Sequence, residues 1–293
     1  MKRIAFVIPF YYKWNNYSNV KANYEYLLKM GYEVDVYSKS DVYTEKINWE
    51  WYDIVMLHGS GAVLPEEEYK KVKCAIISFG WSDPNLFNDI HYKQGTVYCT
   101  NDLNLAMRID TKPSYFYNTA CDKRHHVDLY LEKETDILVY GCGNHKFVPE
   151  RNKTVSDLRL YGYKIKVFGK GWIPHEDTFG FIEGEELARE ICKAHIVLDI
   201  TNGSTAWGHR IFESSARGTP VLTFDRKDTR SMFKEWDEIL LYKDFVDLVI
   251  KLSIAMMHKN DLRKIGLRAQ QRCYKDHDIS VRIKKLIKIM DKL

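Results

Sequence analysis

The stretch HRIFESSARGTPVLTF, residues 209–224, decides the fold, because it reads as a helix that ends at Gly218 and continues into a buried strand. The first turns of this helix carry Arg210 and Glu213, which lie three residues apart and therefore on one helical face. Charged groups are kept out of the space between a helix and a sheet unless they have partners. Two explanations stay open: the two side chains pair with each other on the surface, or they bind a polar ligand.

Short apolar runs and helical segments alternate along the whole chain. Runs such as those at 52–59 and 74–80 end in glycine, and the pattern restarts with DILVYGCG at 136–143 after a polar stretch at 118–135. Apolar runs of this kind, separated by helices, indicate parallel sheets that are covered on both faces. We therefore predict an α/β fold with two Rossmann-like, doubly wound parallel-sheet domains.

The domain boundaries follow from the same pattern. We predict a first domain over residues 1–128, a second over 129–277, and a terminal helix over 278–293. That tail, DISVRIKKLIKIMDKL, is basic and amphipathic, and we expect it to dock on the body of the protein. The alternative is a helix that lies on a membrane surface. No run reaches the roughly 20 apolar residues that a membrane span needs.

The composition is typical of a globular cytoplasmic protein. The chain has 293 residues, a formal net charge of +4 and six cysteines. No two cysteines form a CxxC pair, so the sequence indicates reduced, buried thiols rather than disulfides or a zinc site. The N-terminal run MKRIAFVIPF lacks a small-residue cleavage site, and we predict that it is the first strand rather than a signal peptide.

Two loops of the second domain combine glycines with polar or cationic side chains directly after a strand, where doubly wound sheets bind ligands. These residues are Gly143, Asn144 and Arg151 after the strand DILVY, and Gly169, Lys170, Gly171 and Trp172 after the strand KIKVF. Glycines let the backbone approach a ligand, the start of a helix attracts anions, and a lysine reaches a phosphate as a point charge. The two loops therefore predict an anion site.

A third loop leads into the helix that opens with His209, Arg210 and Glu213. If these residues bind a ligand, Arg210 and the helix start contact a diphosphate, and Glu213 accepts hydrogen bonds from ribose hydroxyls. The chain contains no GxGxxG, Walker or GxSxG motif, so neither a dinucleotide cofactor nor a serine hydrolase is indicated. His125 and His126 lack a third ligand at a suitable spacing, and we interpret them as a solvated hinge rather than a metal site.

Taken in order, several pieces resemble the nucleotide-sugar half of GT-B glycosyltransferases, and most closely the spore-maturation-protein (CgeB-type) glycosyltransferase-like group. The pieces are SDP at 82–84, YFYNTACD at 115–122, DILVYGCGN at 136–144, IKVFGKGW at 165–172, AHIVLDI at 194–200 and HRIFESSARGTPVLTF at 209–224. The resemblance implies two domains facing across a cleft. The second would hold a nucleoside-diphosphate sugar, with a UDP-sugar as first choice, and the first would hold the acceptor.

The resemblance also implies a role for each matching residue. Arg151 and Lys170 would clamp the diphosphate, and Arg210 would lie near the phosphates or the sugar. Glu213 would bind the ribose, and the backbone amides of residues 207–209 would contribute. The remaining donor-binding residues would be Gly143, Asn144, Gly169, Gly171, Trp172 and His209. Positive charge would replace a metal by stabilising the leaving diphosphate, so neither a metal ion nor a prosthetic group is expected.

One position departs from the pattern of the wider superfamily. Many retaining members carry a second glutamate eight residues before the ribose-binding one, and here that place is Thr205, so the resemblance does not imply a donor sugar. Retention of anomeric configuration is expected from the family. An inverting enzyme would need a base in the first domain, for which Asp83 and His58 are the candidates because each follows a predicted strand.

The sequence thus predicts a metal-independent glycosyltransferase, with a hexose as the expected sugar and a hydroxyl as the acceptor. The alternatives are a nucleotide-sugar epimerase or hydrolase, and a nucleotide-sugar-binding or structural protein without turnover. The acceptor would be a glycan, a lipid, a protein or a hydroxylated base in DNA. The aromatic stretch YYKWNNY at 11–17 and the mildly basic charge suit the last of these, because aromatic rings stack on extruded bases.

Overall fold

The structure is a computed structural model that describes residues 2–9, 18–59, 61–80, 90–144, 148–201 and 209–293. It divides into two compact units. The first unit comprises Met1–Asp122 together with Ile279–Leu293, and the second comprises Lys123–Asp278. The division falls inside the polar stretch at 118–135, before rather than after residue 128.

The first unit is built on a six-stranded parallel sheet with the strand order β2-β1-β3-β4-β5-β6. Its strands are β1 (Arg3–Ile8), β2 (Glu33–Ser38), β3 (Ile54–Leu57), β4 (Ala75–Gly80), β5 (Val97–Thr100) and β6 (Ser114–Phe116). Its helices before the second unit are α1 (Asn19–Lys29), α2 (Lys39–Thr44), α3 (Glu66–Tyr69), α4 (Ile90–Gln94) and α5 (Leu103–Arg108), with a 3₁₀ turn at Trp49–Trp51.

Strand β1 shows why this sheet is covered on both faces. Its side chains alternate between the two faces, as the period of two in a strand requires. Ile4 and Phe6 belong to one apolar cluster, whereas Ala5 and Val7 belong to another on the opposite face. All four are completely buried, so a continuous apolar run serves two cores at once, as in other doubly wound sheets.

The second unit repeats the architecture, with a six-stranded parallel sheet in the order β12-β11-β10-β7-β8-β9. Its strands are β7 (Thr135–Tyr140), β8 (Ile165–Phe168), β9 (Thr178–Phe179), β10 (Ala194–Asp199), β11 (Val221–Phe224) and β12 (Leu240–Tyr242). Its helices are α6 (Arg151–Leu160), α7 (Gly184–Lys193), α8 (Arg210–Ala216), α9 (Lys227–Met232), α10 (Phe245–Met257) and α11 (Lys259–Asp276).

The strand order reverses once in each sheet. In the first unit the chain leaves β1 for β2 on one side and then continues with β3 on the other. In the second unit it leaves β7 for β8 and β9, and then returns to β10 on the opposite side of β7. Crevices at the carboxyl ends of the strands beside such a reversal are where open α/β sheets bind ligands. We call these two places the β1–β3 edge and the β7–β10 edge.

The terminal helix α12 (Ile279–Met290) belongs to the first unit and packs against α1. Its apolar face is buried in the same cluster as Ile4 and Phe6, through Ile279, Ile283, Leu286, Ile289 and Met290. A membrane-surface role for this helix would therefore require it to leave the core. Among the described residues, no helix is both long and apolar enough to cross a membrane.

The six cysteines are all free thiols. Five are buried or half-buried, but Cys142, in the loop after β7, is exposed. The expectation of uniformly buried thiols is therefore wrong at this one position.

Candidate functional site

The β7–β10 edge brings together three residues that lie at the ends of their elements. Tyr140 ends β7, Asp199 ends β10, and Arg210 begins α8. Strands β7 and β10 pair in parallel, so their carboxyl ends lie side by side. The reversal of strand order therefore marks this edge, with the charged start of α8, as the candidate ligand site.

Arg210 has a partner, and it is Asp199 rather than Glu213. Arg210 Nη1 donates to Asp199 Oδ1 at 2.6 Å, and Arg210 Nε donates to the backbone oxygen of Tyr140 at 2.8 Å. The second oxygen of Asp199 accepts a bond from the Thr223 hydroxyl at 3.3 Å. Burial acts against the charge of Arg210, but the Asp199 carboxylate, with smaller contributions from Tyr140 and Glu213, outweighs it and raises the pKa of Arg210. The surface pairing of Arg210 with Glu213 is therefore wrong.

Gly141 lies directly over this guanidinium. Its backbone has a φ of 122°, which residues other than glycine rarely adopt. A Cβ atom there would lie 2.6 Å from Arg210 Nη2. The glycine thus lets the loop after β7 pass close to Arg210, and any side chain would displace the arginine.

The loops after β7 and β8 interlock through glycines. A Cβ atom on Gly169 would lie 1.9 Å from the Gly141 backbone oxygen, and one on Gly143 would lie 2.6 Å from the Gly171 oxygen. Trp172 Nε1 donates to the Gly141 oxygen at 2.8 Å, which ties the two loops together. These glycines are needed for packing between loops, in addition to any approach of a ligand.

Asn144 and Lys170 occupy the exposed part of the same loops. The Asn144 Oδ1 atom lies so near Gly171 that a Cβ atom there would meet it at 2.0 Å. Lys170 is exposed, and its backbone oxygen accepts a bond from the Gly143 amide at 2.9 Å. The structure therefore brings the glycine loops and their polar residues together beside the β7–β10 edge.

Arg151 is buried and ties two loops to each other. Its Nε donates to the Ile200 oxygen at 2.9 Å, and its Nη1 donates to the Cys142 oxygen at 2.8 Å. Burial, followed by the nearby charge of Arg210, lowers the pKa of Arg151 to about 10, while Asp199 acts in the opposite direction. A second guanidinium therefore lies close to the Arg210–Asp199 ion pair, with hydrogen bonds of its own to backbone oxygens.

Glu213 is buried in a polar pocket on the same helix. Its Oε2 accepts a bond from the Tyr140 hydroxyl at 3.3 Å, and its Oε1 lies 3.7 Å from Nη1 of the fully buried Arg217. Burial and the Glu213 charge raise the pKa of Tyr140 well above its usual value, so Tyr140 keeps its proton and donates it. The carboxylate is held in place before any ligand arrives.

Two histidines complete this pocket. His126 is 1% exposed, so the expectation of a solvated hinge is wrong. Its ring centroid lies 5.2 Å from that of His209, and ligand atoms of His126, His209 and Glu213 lie within 4.8 Å of one another. His209 and Glu213 come from the start of α8, more than 80 residues after His126 in the sequence. Burial lowers the pKa of both rings, and the charge of Arg217 adds to the effect at His126.

The β1–β3 edge carries His58, one candidate base for an inverting reaction. Its ring packs between Phe6 and Phe79, at centroid distances of 5.0 and 4.6 Å, and its Nε2 lies 2.7 Å from the Asn23 amide nitrogen. Burial lowers the pKa of His58 to about 3. Such an imidazole is too weak a base to take a proton at neutral pH.

Some of the predicted residues lie outside the described residues. They are Asp83, the position of the missing second glutamate at Thr205, the backbone amides of 207 and 208, and the aromatic stretch at 11–17. Their roles stay predictions.

Sequence reasoning missed Asp199, Tyr140 and Arg217 as members of the site. Asp199 and Tyr140 did carry a signal, since each is a polar residue at the carboxyl end of an otherwise apolar strand. Arg217 carried none, because an arginine near the end of a helix is usually a solvated one. Only the structure shows that it is completely buried.

A separate cavity of about 290 Å³ opens beside β10, β11 and β12. Ile200, Phe224 and Tyr242 line it, together with the carboxylates of Glu150 and Asp244. Neither Arg210 nor Lys170 lines this cavity. Its acidic rim is therefore a poor place for a diphosphate, which favours the β7–β10 edge.

A comparison with protein families matches residues 151–288, from α6 into α12, to a model described as glycosyl transferase-like. No curated protein shows significant sequence similarity to the chain. The glycosyltransferase class predicted from the sequence is confirmed at the level of this family model. The closer resemblance to the CgeB-type group stays a prediction.

Solved glycosyltransferases share the fold over its whole length. Anabaena HepE in complex with UDP and glucose is 8% identical, with a TM-score of 0.72, and covers 100% of both chains. Sucrose-phosphate synthase from Thermosynechococcus elongatus is 11% identical, with a TM-score of 0.73 and the same coverage. An alpha-glucosyltransferase in complex with UDP and a 13-mer DNA is 13% identical, with a TM-score of 0.70, and covers 99% of this chain and 100% of its own. The predicted α/β fold of the GT-B type is confirmed.

Proposed function

We propose that the second unit binds a UDP-sugar at the β7–β10 edge and that the protein transfers the sugar to an acceptor hydroxyl without help from a metal. The observation that carries this proposal is the presence of two guanidinium groups at this edge: Arg210 is paired with the Asp199 carboxylate, and Arg151 lies near enough for the charges of both to act on its pKa. An anion with two phosphates would neutralise the remaining positive charge. The solved structure of HepE with UDP and glucose supports UDP as the nucleotide.

The chemistry required of this edge is stabilisation of the leaving group. When the bond between sugar and diphosphate breaks, its electron pair passes to a phosphate oxygen, which becomes more negative. Arg210 would stabilise that oxygen, since its bonds to Asp199 and to the Tyr140 oxygen fix it in advance. Lys170, exposed between two glycines, would add a second positive charge.

Glu213 would accept hydrogen bonds from the ribose hydroxyls. It is held by Tyr140 and Arg217 before binding, so little side-chain entropy is lost when the ribose arrives. Retention of configuration is proposed from the family resemblance, and the low basicity of His58 argues against that residue as an inverting base. For the acceptor we propose a hydroxyl of a glycan or a protein.

Calorimetric titration with UDP tests the site. Glu213→Ala should weaken UDP binding about tenfold to a hundredfold, because a charge-assisted hydrogen bond contributes about 1.5–3 kcal/mol. The matched control is Glu238→Ala, since Glu238 is also buried in the second unit but accepts its bond from the Lys234 amide. Equal affinity of the Glu213 variant and the wild-type protein would refute the assignment.

Turnover separates the remaining alternatives. A transferase should release UDP faster when an acceptor is added, whereas an epimerase or hydrolase should consume the donor without one. A protein that binds UDP-glucose but never releases UDP would be a binding or structural protein. Including DNA with hydroxymethylated bases among the acceptors tests the DNA hypothesis. The similar fold of an alpha-glucosyltransferase that was solved with DNA is the reason to include it.

A further inference from the structure

The pocket beside Glu213 has the composition of a metal site. One nitrogen from each of His126 and His209 and one oxygen of Glu213 lie within 4.8 Å of one another. A cation bound about 2.0–2.2 Å from three such atoms holds them roughly 3–4 Å apart, so small rotations of the side chains close the site. All three residues belong to the second unit.

The chemistry of the three donors selects the type of cation. Imidazole nitrogen suits zinc, cobalt, nickel and copper, whereas magnesium and calcium require oxygen ligands. Two imidazoles with one carboxylate form a common zinc ligand set that leaves a fourth position open. His126 is buried and His209 is half-buried, and the neutral imidazole is the form that binds metal.

We propose that His126, His209 and Glu213 form a binding site for a divalent cation of the zinc class. The site goes beyond the proposed transfer reaction and plays no part in its chemistry. Two of its ligands are linked with that reaction: Glu213, which the cation would share with the ribose of the nucleotide, and His209, which the family resemblance places among the donor-binding residues.

The surroundings of the pocket set limits on this site. Arg217 lies 3.7 Å from Glu213 Oε1, and its positive charge opposes that of a cation. A weakly coordinating cation would not overcome this repulsion, whereas zinc gains its affinity from bonds to nitrogen. The Tyr140 hydroxyl bonds to the other Glu213 oxygen and would orient the carboxylate from the second shell.

A consequence follows if the proposed function also holds. Because the cation and the ribose would both use Glu213, zinc should weaken the binding of UDP, and a chelator should restore it. This competition rests on the proposed function, whereas the cation site itself does not.

Titration of metal-free protein with Zn²⁺, and with Co²⁺ for its visible spectrum, tests the site. Wild-type protein should bind one Zn²⁺ in the pocket, and His126→Gln should weaken that binding by at least about a hundredfold, since even second-shell changes cost 10–100-fold. His125→Gln is the matched control, because His125 is the adjacent histidine and is not one of the three ligands. His175→Gln serves as a second control, since His175, Glu176 and Asp177 form another, surface-exposed group of potential ligands.

The outcomes are distinct. Loss of Zn²⁺ in His126→Gln alone supports the site, and UDP titration of the same variant should show unchanged affinity because Glu213 is intact. Loss in His175→Gln alone, or no binding by the wild-type protein, overturns it. If His126→Gln does not fold, X-ray absorption of zinc-loaded wild-type protein replaces it: two imidazole ligands support the site, and one or none overturns it. Failure of UDP binding in the wild-type protein would refute the proposed function and leave the cation site standing.

Discussion

The β1–β3 edge and the β7–β10 edge are both places where the strand order reverses, but their chemistry differs. At the first, the His58 ring is stacked between Phe6 and Phe79 and carries no charge at neutral pH. At the second, Arg210 is bonded to the buried Asp199, close to Arg151. The strand order determines where each edge lies, whereas the one or two residues directly after each strand determine what that place can bind.

The two units also contain contrasting Arg–Asp pairs. Arg210 and Asp199 approach to 2.6 Å with side chains that are 19% and 1% exposed. Arg3 and Asp35 approach to 2.8 Å, but their side chains are 36% and 40% exposed. Solvent screens the second pair and not the first, so the same two residue types should differ strongly in their effect on stability.

The largest expected effect is that of Arg210→Ala. Removing the arginine leaves the Asp199 carboxylate buried without its charged partner, and we expect the free energy of unfolding to fall by about 3–5 kcal/mol. UDP binding should be lost as well. Urea denaturation measures the first effect and calorimetry the second.

Arg3→Ala is the control for this prediction. It should change the unfolding midpoint much less, because both partners of the exposed pair can hydrate. Similar losses in the two variants would show that the contrast between the buried and the exposed pair is not real.

The second effect concerns the glycine above Arg210. Gly141→Ala should cost about 1–3 kcal/mol from its positive φ alone and should also displace Arg210, which weakens UDP binding. Gly162→Ala isolates the backbone contribution, since Gly162 has a φ of 78° and nothing within 4 Å of an added Cβ. Unchanged UDP affinity in Gly141→Ala would mean that Arg210 does not contact the nucleotide.

The third effect is the pH dependence of the first unit. Burial lowers the pKa of His58 to about 3 in the folded protein, against about 6.5 for a solvated imidazole. Between these values the unfolded chain binds one proton more, so stability should decline as the pH falls, by at most about 1.4 kcal/mol per pH unit. In His58→Phe the free energy of unfolding should fall less steeply with pH, by the contribution of the one proton that the His58 ring takes up on unfolding. Identical slopes for variant and wild type, from denaturation between pH 6 and pH 4, would contradict the assignment.

The smallest effect is that of Tyr140→Phe, which removes the hydroxyl that bonds to Glu213. We expect a loss of stability of about 0.5–1.5 kcal/mol and a few-fold loss of UDP affinity, because the carboxylate is less well fixed. Tyr117→Phe removes a similar hydroxyl, which donates to Asn23 Oδ1 in the first unit. It should affect stability alone, and a loss of UDP affinity there would place the nucleotide elsewhere.

The regular parts of the fold could be predicted from the sequence. Helices such as α7 have a clear helical period of apolar residues, and strands such as β7 are short apolar runs. The short strands could not. β9 has only two residues, Thr178–Phe179, and is held by pairing with β8 rather than by its own sequence. β6 and β12 have three residues each, too few for a period to be recognised.

The candidate site shows a similar limit. The residues on loops and helix starts, such as Arg210 and Gly143, were found because their sequence neighbours are unusual. Asp199 and His126 were missed as members because their importance comes from contacts with residues distant in sequence. A buried charge is recognised only when its partner is known, and one sequence does not name the partner.

The position of α12 has a consequence for folding during synthesis. The first unit buries Ile283 and Leu286 in its core, yet these residues are translated only after the whole of the second unit, Lys123–Asp278. At ordinary translation rates a ribosome spends roughly 10–30 s on that intervening segment. Throughout this time the nascent first unit exposes the apolar side of α1. We expect chaperones to bind the nascent first unit during this interval.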